Sequence, residues 1–182
     1  MKTDRGKRLV KNYPTIREKY LNGLNLKLRN EIQKMIKWDQ SFVGMHEKRD
    51  SVFRVNTKRL IEIFEKKDYP GIAMVGPYNI DSTSADITIM LMHTHDSIRV
   101  NYFMPKLKEY IKEGICPPKT LGEVIDNLHF FNNEPQIMGT YKNRNGEYYD
   151  MIPDLKQVDK NRTSIGLPPL KLKEKIDSLK GF

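Results

Sequence analysis

The sequence predicts a mainly α fold: a single compact multi-helix domain with at most one short β-hairpin or irregular loop near residues 136–152. Three observations carry this expectation. Apolar residues recur at three- and four-residue spacing at Leu24, Leu28, Ile32, Met35 and Ile36, and a second apolar run holds Leu60, Ile61, Ile63 and Phe64; this is the pattern of helices buried along one face. Proline, glycine and capping residues bound these runs. β-prone residues with a strong turn signal gather in one region only, toward the C-terminus.

The elements follow in order. A helical pattern runs from about Thr15 to Met45, and Gly23 is the expected break in it, since glycine costs a helix interior about 1 kcal/mol. A second helix is expected from about Asn56 to Lys67, ended by Asp68-Tyr69-Pro70-Gly71 because proline cannot continue a helix. Gly71 to Pro77 reads as a connector or one short strand at Ile72–Val75. Asp81, Ser82 and Thr83 can each cap a helix start, and Thr83 with Asp86 is spaced as a capping box. The helix after them carries Ile87 to Met92, apolar nearly all round, which predicts the central buried element. A further helix spans about Ser97 to Glu113 with a kink at Pro105. Thr120 and Glu123 form a second capping box, opening a helix to about Asn132. Gln136–Tyr141 and Glu147–Ile152 are short β-prone runs around Asn145-Gly146, a turn pair. Short helices over about Leu155–Thr163 and residues 170–180 close the chain.

Length and composition set the bounds. At 182 residues with 38% hydrophobic content, the chain can bury a core without disulfide staples. The longest apolar stretch, Ile87 to Met92, is far short of the roughly 20 residues a membrane span needs. The charged start, Met1 to Arg8, lacks the apolar region of a signal peptide. The cytoplasm is the expected location for a full-length chain; a secreted or lipid-anchored parent would leave the same sequence. Cys116 is the sole cysteine, so no intrachain disulfide or cysteine-rich zinc site can form. It reads as a small, partly buried side chain rather than a nucleophile.

The net charge of +9 is concentrated: residues 1–37 hold 11 Lys/Arg and 3 Asp/Glu, while the remainder is nearly neutral. Residues 1–20 are expected to form a mobile basic arm ahead of one helical domain over 21–182. Nucleic acid is an expected partner only through that arm, because a dedicated nucleic-acid domain spreads its basic face over the fold. The more frequent role of such a terminus is a solvated tail.

No nucleophile elbow, phosphate loop or dinucleotide fingerprint occurs, which removes those enzyme classes at sequence level, and no cofactor is predicted. His93-Thr94-His95-Asp96 holds the only close histidine pair. Residues two apart diverge on a helix, so His93, His95 and Asp96 are weak metal candidates and no metal site is predicted. Asp39-Gln40 ends the first amphipathic helix. Gln136 and Thr140 flank an apolar pair and a glycine, and Arg162 supplies a guanidinium before a helix stop, a group suited to carboxylate or phosphate.

The ordered set of these pieces resembles an uncharacterised bacterial family catalogued as domain of unknown function 6624. Its members read as a helix ending in D-Q, N-x-x-x-L, G-W-P, v-G, an alanine-rich helix ending in H-A-D, Y-L-P, D-R, Q-x-Y-G-T-Q and R-x-x-x-G-L. This chain offers Asp39-Gln40, Asn56 to Leu60, Asp68-Tyr69-Pro70, Val75-Gly76, His93 to Asp96, Tyr102 to Pro105, Asp126-Asn127, Gln136 to Tyr141 and Arg162 to Leu167. The resemblance spans about Leu24 to Leu170. Tyr69 stands for the tryptophan, Asn127 for the arginine after the aspartate, and Tyr141 for the last glutamine. His93 fits the spacing to Tyr102, with His95-Asp96 as the competing register. The resemblance implies an architecture and a set of polar positions; it implies no reaction.

Three functional readings follow. In the first, Asp39, Gln40, His93, Gln136, Thr140 and Arg162 line one pocket for a small polar ligand or a peptide. In the second, the chain is an enzyme: His93 is general acid or base, Asp39 or Asp126 orients its ring, and Arg162 holds an anionic group. In the third, the polar residues are caps and buried hydrogen bonds, and function resides in a protein partner.

Overall fold

The computed structural model describes residues 13–15, 17–42, 46–142 and 145–171. It is mainly α, with no strand among the described residues. Most of the expected basic arm, residues 1–12 and 16, and most of the expected last helix, residues 172–182, lie outside the described residues; residues 17–20 of the arm are helical.

The break at Gly23 is present: the helical residues 17–22 stop there. Helix α1 (Leu26–Gln40) starts afresh, with Asn25 Oδ1 accepting from Leu28 N at 3.0 Å, a side-chain cap for a free amide. Its buried face repeats at Leu28, Ile32, Met35 and Asp39. Helix α2 (His46–Lys67) packs against it and begins ten residues before the expected Asn56. Its first turns are rich in Glu, Lys and Arg with only Val52 fully buried, so the apolar period is faint although these residues favour helix.

The segment Ile72–Val75 is a single helical turn, α3, rather than a strand. Gly76 closes it at φ +77°, and a Cβ there would lie 2.1 Å from Ile80 Cδ1, so only glycine fits. A 3₁₀ turn at Tyr78–Ile80 leads to α4 (Thr88–Met92). The expected box between Thr83 and Asp86 does not form. Asp86, just ahead of the Ile87 N-cap of α4, accepts from Thr88 N at 2.9 Å and from its hydroxyl at 2.6 Å. Asp81 instead accepts from Thr83 N and pairs with Arg29. As expected, α4 is central: Ile87, Met90 and Leu91 are buried, and it touches α1 and α2.

Helix α5 (Asp96–Ile98) runs through a π-type turn, Arg99–Phe103, into α6 (Met104–Lys112). The π turn takes the place of the expected kink. Met104 N reaches back to Arg99 O, and Pro105, which has no N–H to give, sits in the first turn of α6. Helix α7 (Pro118–Phe131) starts two residues ahead of Thr120, with proline in the first turn, where a missing N–H costs nothing. Thr120 faces the Tyr69 hydroxyl at 3.3 Å, and Glu123 pairs with Lys119, so that box is not used either. The described residues of the next region, 136–142 and 145–152, are irregular and hold two isolated bridges, Gln136 to Met151 and Lys142 to Tyr148. Helix α8 (Leu155–Ser164) is capped by Asp154, which accepts from Lys156 N and Gln157 N. The core joins Ile32, Leu60, Phe64, Leu91, Phe103 and Leu121. No described helix is long and apolar enough to cross a membrane.

Arg29 is buried and donates to the carbonyls of Val75, Gly76 and Thr83 and to both oxygens of Asp81. The guanidinium, with the Thr83 hydroxyl and Gln33 amide, holds the Asp81 carboxyl well below the usual carboxylate range. A depressed carboxyl contributes stability above its unfolded value of 3.8, lost only as pH falls through the folded value. Asp81→Asn is therefore expected to lower the melting temperature at neutral pH and at pH 4 alike, and the gap to wild type should close only in stronger acid. Burial pushes the Cys116 thiol up to about 12. Iodoacetamide at pH 8 should leave it unmodified in the folded protein and label it in denaturant, read by mass spectrometry.

Candidate functional site

Three elements bring the polar groups of the site together. The last turn of α1 supplies Asp39 and Gln40, α2 supplies Phe53 and Asn56, and the residue that ends α4 is His93. His93 Nδ1 lies 2.7 Å from Asp39 Oδ2. The same oxygen accepts from Gln40 Nε2 at 2.7 Å, and Asn56 Nδ2 is 3.4 Å from Oδ1. The Asp39 side chain is 0% exposed and the His93 side chain 25%. A carboxylate only accepts, so Nδ1 carries the shared proton, and the lone pair of a neutral ring is left on Nε2. Nε2 makes no hydrogen bond to the described residues.

Two further contacts fix the ring. Phe53 stacks on it, centroids 4.3 Å apart at 20°. Arg99, buried, donates to the carbonyls of Met92 and Thr94, the two residues flanking His93. Its third partner is Asn127 Oδ1 at 2.9 Å. Thus a guanidinium does reach Asn127, where the resemblance has an arginine, but it comes from the π turn.

His93 lines a cleft of about 520 Å³ between α2 and the segment carrying His95 and Ile98, within the size range of small-molecule sites. The α2 wall presents Asp50, Phe53, Arg54, Thr57, Lys58 and Ile61, the three- and four-residue spacing of one helix face. Sequence reasoning missed this wall. The i, i+4, i+8 series Phe53, Thr57, Ile61 was the available signal, hidden because the helix was expected to start after Phe53. His129 also stands near a carboxylate, with Nδ1 3.1 Å from Glu134, but that partner is 57% exposed and the geometry is not that of a hydrogen bond.

The expected single pocket of six residues is not assembled. Asp39, Gln40 and His93 meet; Gln136, Thr140 and Arg162 join Asp126 in a second cluster. Asp126, fully buried, accepts from Ile137 N, Met138 N, Thr140 N and the Thr140 hydroxyl at 2.7–3.0 Å. Gln136 accepts from Thr140 N and Tyr141 N and donates to the carbonyls of Tyr141 and Tyr149. Arg162 donates to Pro168 O at 2.7 Å and Met138 O at 2.6 Å. The reason for the division is hydrogen-bond supply. A loop without ladder pairing must satisfy its buried backbone groups with side chains; Asp126, Gln136 and Arg162 do so for 136–141, and the Thr140 hydroxyl donates to Asp126. Asp126 accordingly faces backbone amides rather than a histidine.

His93, His95 and Asp96 do not converge. His93 turns to Asp39, His95 caps α5 through Ser97, and Asp96 lies 3.5 Å from Arg99. Among the described residues, no three His, Cys, Asp or Glu groups are placed to hold a metal ion.

No family model matches the chain, and neither a curated protein nor a solved structure does.

Asp126→Asn replaces an acceptor of two amide protons or of the Thr140 pair by an NH₂ donor. It is expected to cost roughly 2–4 kcal/mol in urea unfolding, while the His93 imidazole resonances of the folded variant stay at their wild-type positions.

Proposed function

We propose that the chain is an enzyme that moves a proton at Nε2 of His93 on a small molecule held in the cleft. The observation carrying this reading is the 2.7 Å contact between His93 Nδ1 and the buried Asp39 carboxylate, on a ring that lines a cavity. Asp39 holds the ring in one tautomer and stabilises the positive charge that forms when Nε2 takes a proton. Phe53 and the Arg99 clamp keep that nitrogen in place, so orientation is set before a substrate arrives.

The test is turnover without a chosen substrate. A small-metabolite extract is incubated with wild type, His93→Gln and Asp39→Asn, and followed by mass spectrometry. Wild type should deplete at least one metabolite. His93→Gln should remove that depletion, and Asp39→Asn should slow it by about 10²-fold or more, the scale of a lost acid–base contribution. No metabolite distinguishing wild type from folded His93→Gln would overturn the reading.

A further inference from the structure

We infer that the cleft takes a small organic anion, a carboxylate or phosphate ester on an apolar body, with Arg54 and Lys58 holding the anionic group. The inference rests on the acid–base reading of the same cleft and names its substrate class.

Charge placement is the first argument. The other arginines whose partners are described are committed within the fold. Arg59 pairs with Glu31 and Glu62, and Arg29 with Asp81. Arg99 and Arg162 bind carbonyls. Arg54 and Lys58 are different. They stand one turn apart on α2, both exposed and both on the cleft wall, with no hydrogen bond or ion pair to the described residues. Asp50 is the single carboxylate on that lining, so the α2 wall carries one net positive charge, and Asp39, the carboxylate behind His93, is buried and paired with the ring. Cations that converge on a concave site focus anions there, and an Arg fork fits a carboxylate or phosphate.

The second argument is the apolar surface beside those cations. Ile61 and Ile98 line the same cleft, with the Phe53 ring stacked on His93. Bare inorganic anions would leave that surface wet; an aryl or alkyl body would cover it. The Thr57 hydroxyl and His95 supply further polar contacts along the wall. An anionic head at Arg54 and Lys58 would leave the body of the molecule between that end and His93.

The probes are phenyl phosphate, benzoate, benzyl alcohol and inorganic phosphate, titrated by calorimetry into the full chain. Phenyl phosphate or benzoate should bind at least about tenfold tighter than benzyl alcohol, and the tighter of the two identifies the head group. The Arg54→Gln/Lys58→Gln double variant should weaken that binding by about tenfold or more; both positions are exposed, and an unchanged melting temperature reports the fold. In a His93→Gln background the Arg54→Gln/Lys58→Gln exchange should still weaken anion binding by about tenfold or more, because the two cations stand on a different element from the histidine. The two readings fail separately: anion binding that the double variant weakens, beside turnover that does not differ between wild type and His93→Gln, leaves this inference standing when the acid–base reading fails. Equal affinity for benzyl alcohol, equal affinity for inorganic phosphate, an unaltered double variant, or no anion binding at millimolar concentration would each overturn the inference.

Discussion

Backbone carbonyls left over by short helices and loops are held by three buried guanidinium groups. Arg29 takes Val75, Gly76 and Thr83, Arg99 takes Met92 and Thr94, and Arg162 takes Met138 and Pro168. The need is general: each helix end exposes carbonyls without an intrahelical partner, and several helices here are a single turn long. Water cannot serve those that are buried. Arginine brings up to five donors in one rigid fork, so a single side chain can pin two or three carbonyls at once. The cost of burying the charge shows in Arg99 and Arg162, whose affinity for the proton burial lowers. Arg29 has the Asp81 carboxylate at 2.7 Å, and Arg99 has Asp96 at 3.5 Å.

The candidate site inherits its geometry from this device. Arg99 grips the chain on both sides of His93, which stops α4 at a defined residue and turns the imidazole toward Asp39. Asp39 is itself set by α1, whose buried face ends on it. Because α1, α2 and α4 share one core, the carboxylate, the stacked Phe53 and the histidine come from three elements that cannot shift separately. That rigidity suits a group whose usefulness depends on orientation.

Polar residues of similar kind take different parts in the two clusters. Asp39 and Asp126 are both buried carboxylates. Asp126 faces two backbone amides and the Thr140 amide and hydroxyl, and organises the loop. Asp39 faces an imidazole at the edge of a cavity. What separates them is the partner, and the partner depends on which groups would otherwise go unsatisfied.

The sequence by itself determined the mainly α class, the break at Gly23, the central place of Ile87–Met92 and, over 136–152, the choice between a short hairpin and an irregular loop. Each rests on local chemistry: apolar period, glycine, proline and the weakness of short β-prone runs. It also singled out His93, Asp39, Gln40, Asp126, Gln136, Thr140 and Arg162 as polar residues at element ends. The tertiary structure decided how they divide. A helix start at His46 rather than Asn56 depended on packing that charged turns do not advertise. The two capping boxes were legible as patterns, but Thr83 turned to Asp81, which Arg29 holds from 52 residues away, and Thr120 faced the Tyr69 hydroxyl from 51. The Asp39–His93 contact spans 54 residues, and no local rule reaches that far, because it is the shared core of α1, α2 and α4 that brings the two side chains to hydrogen-bond distance.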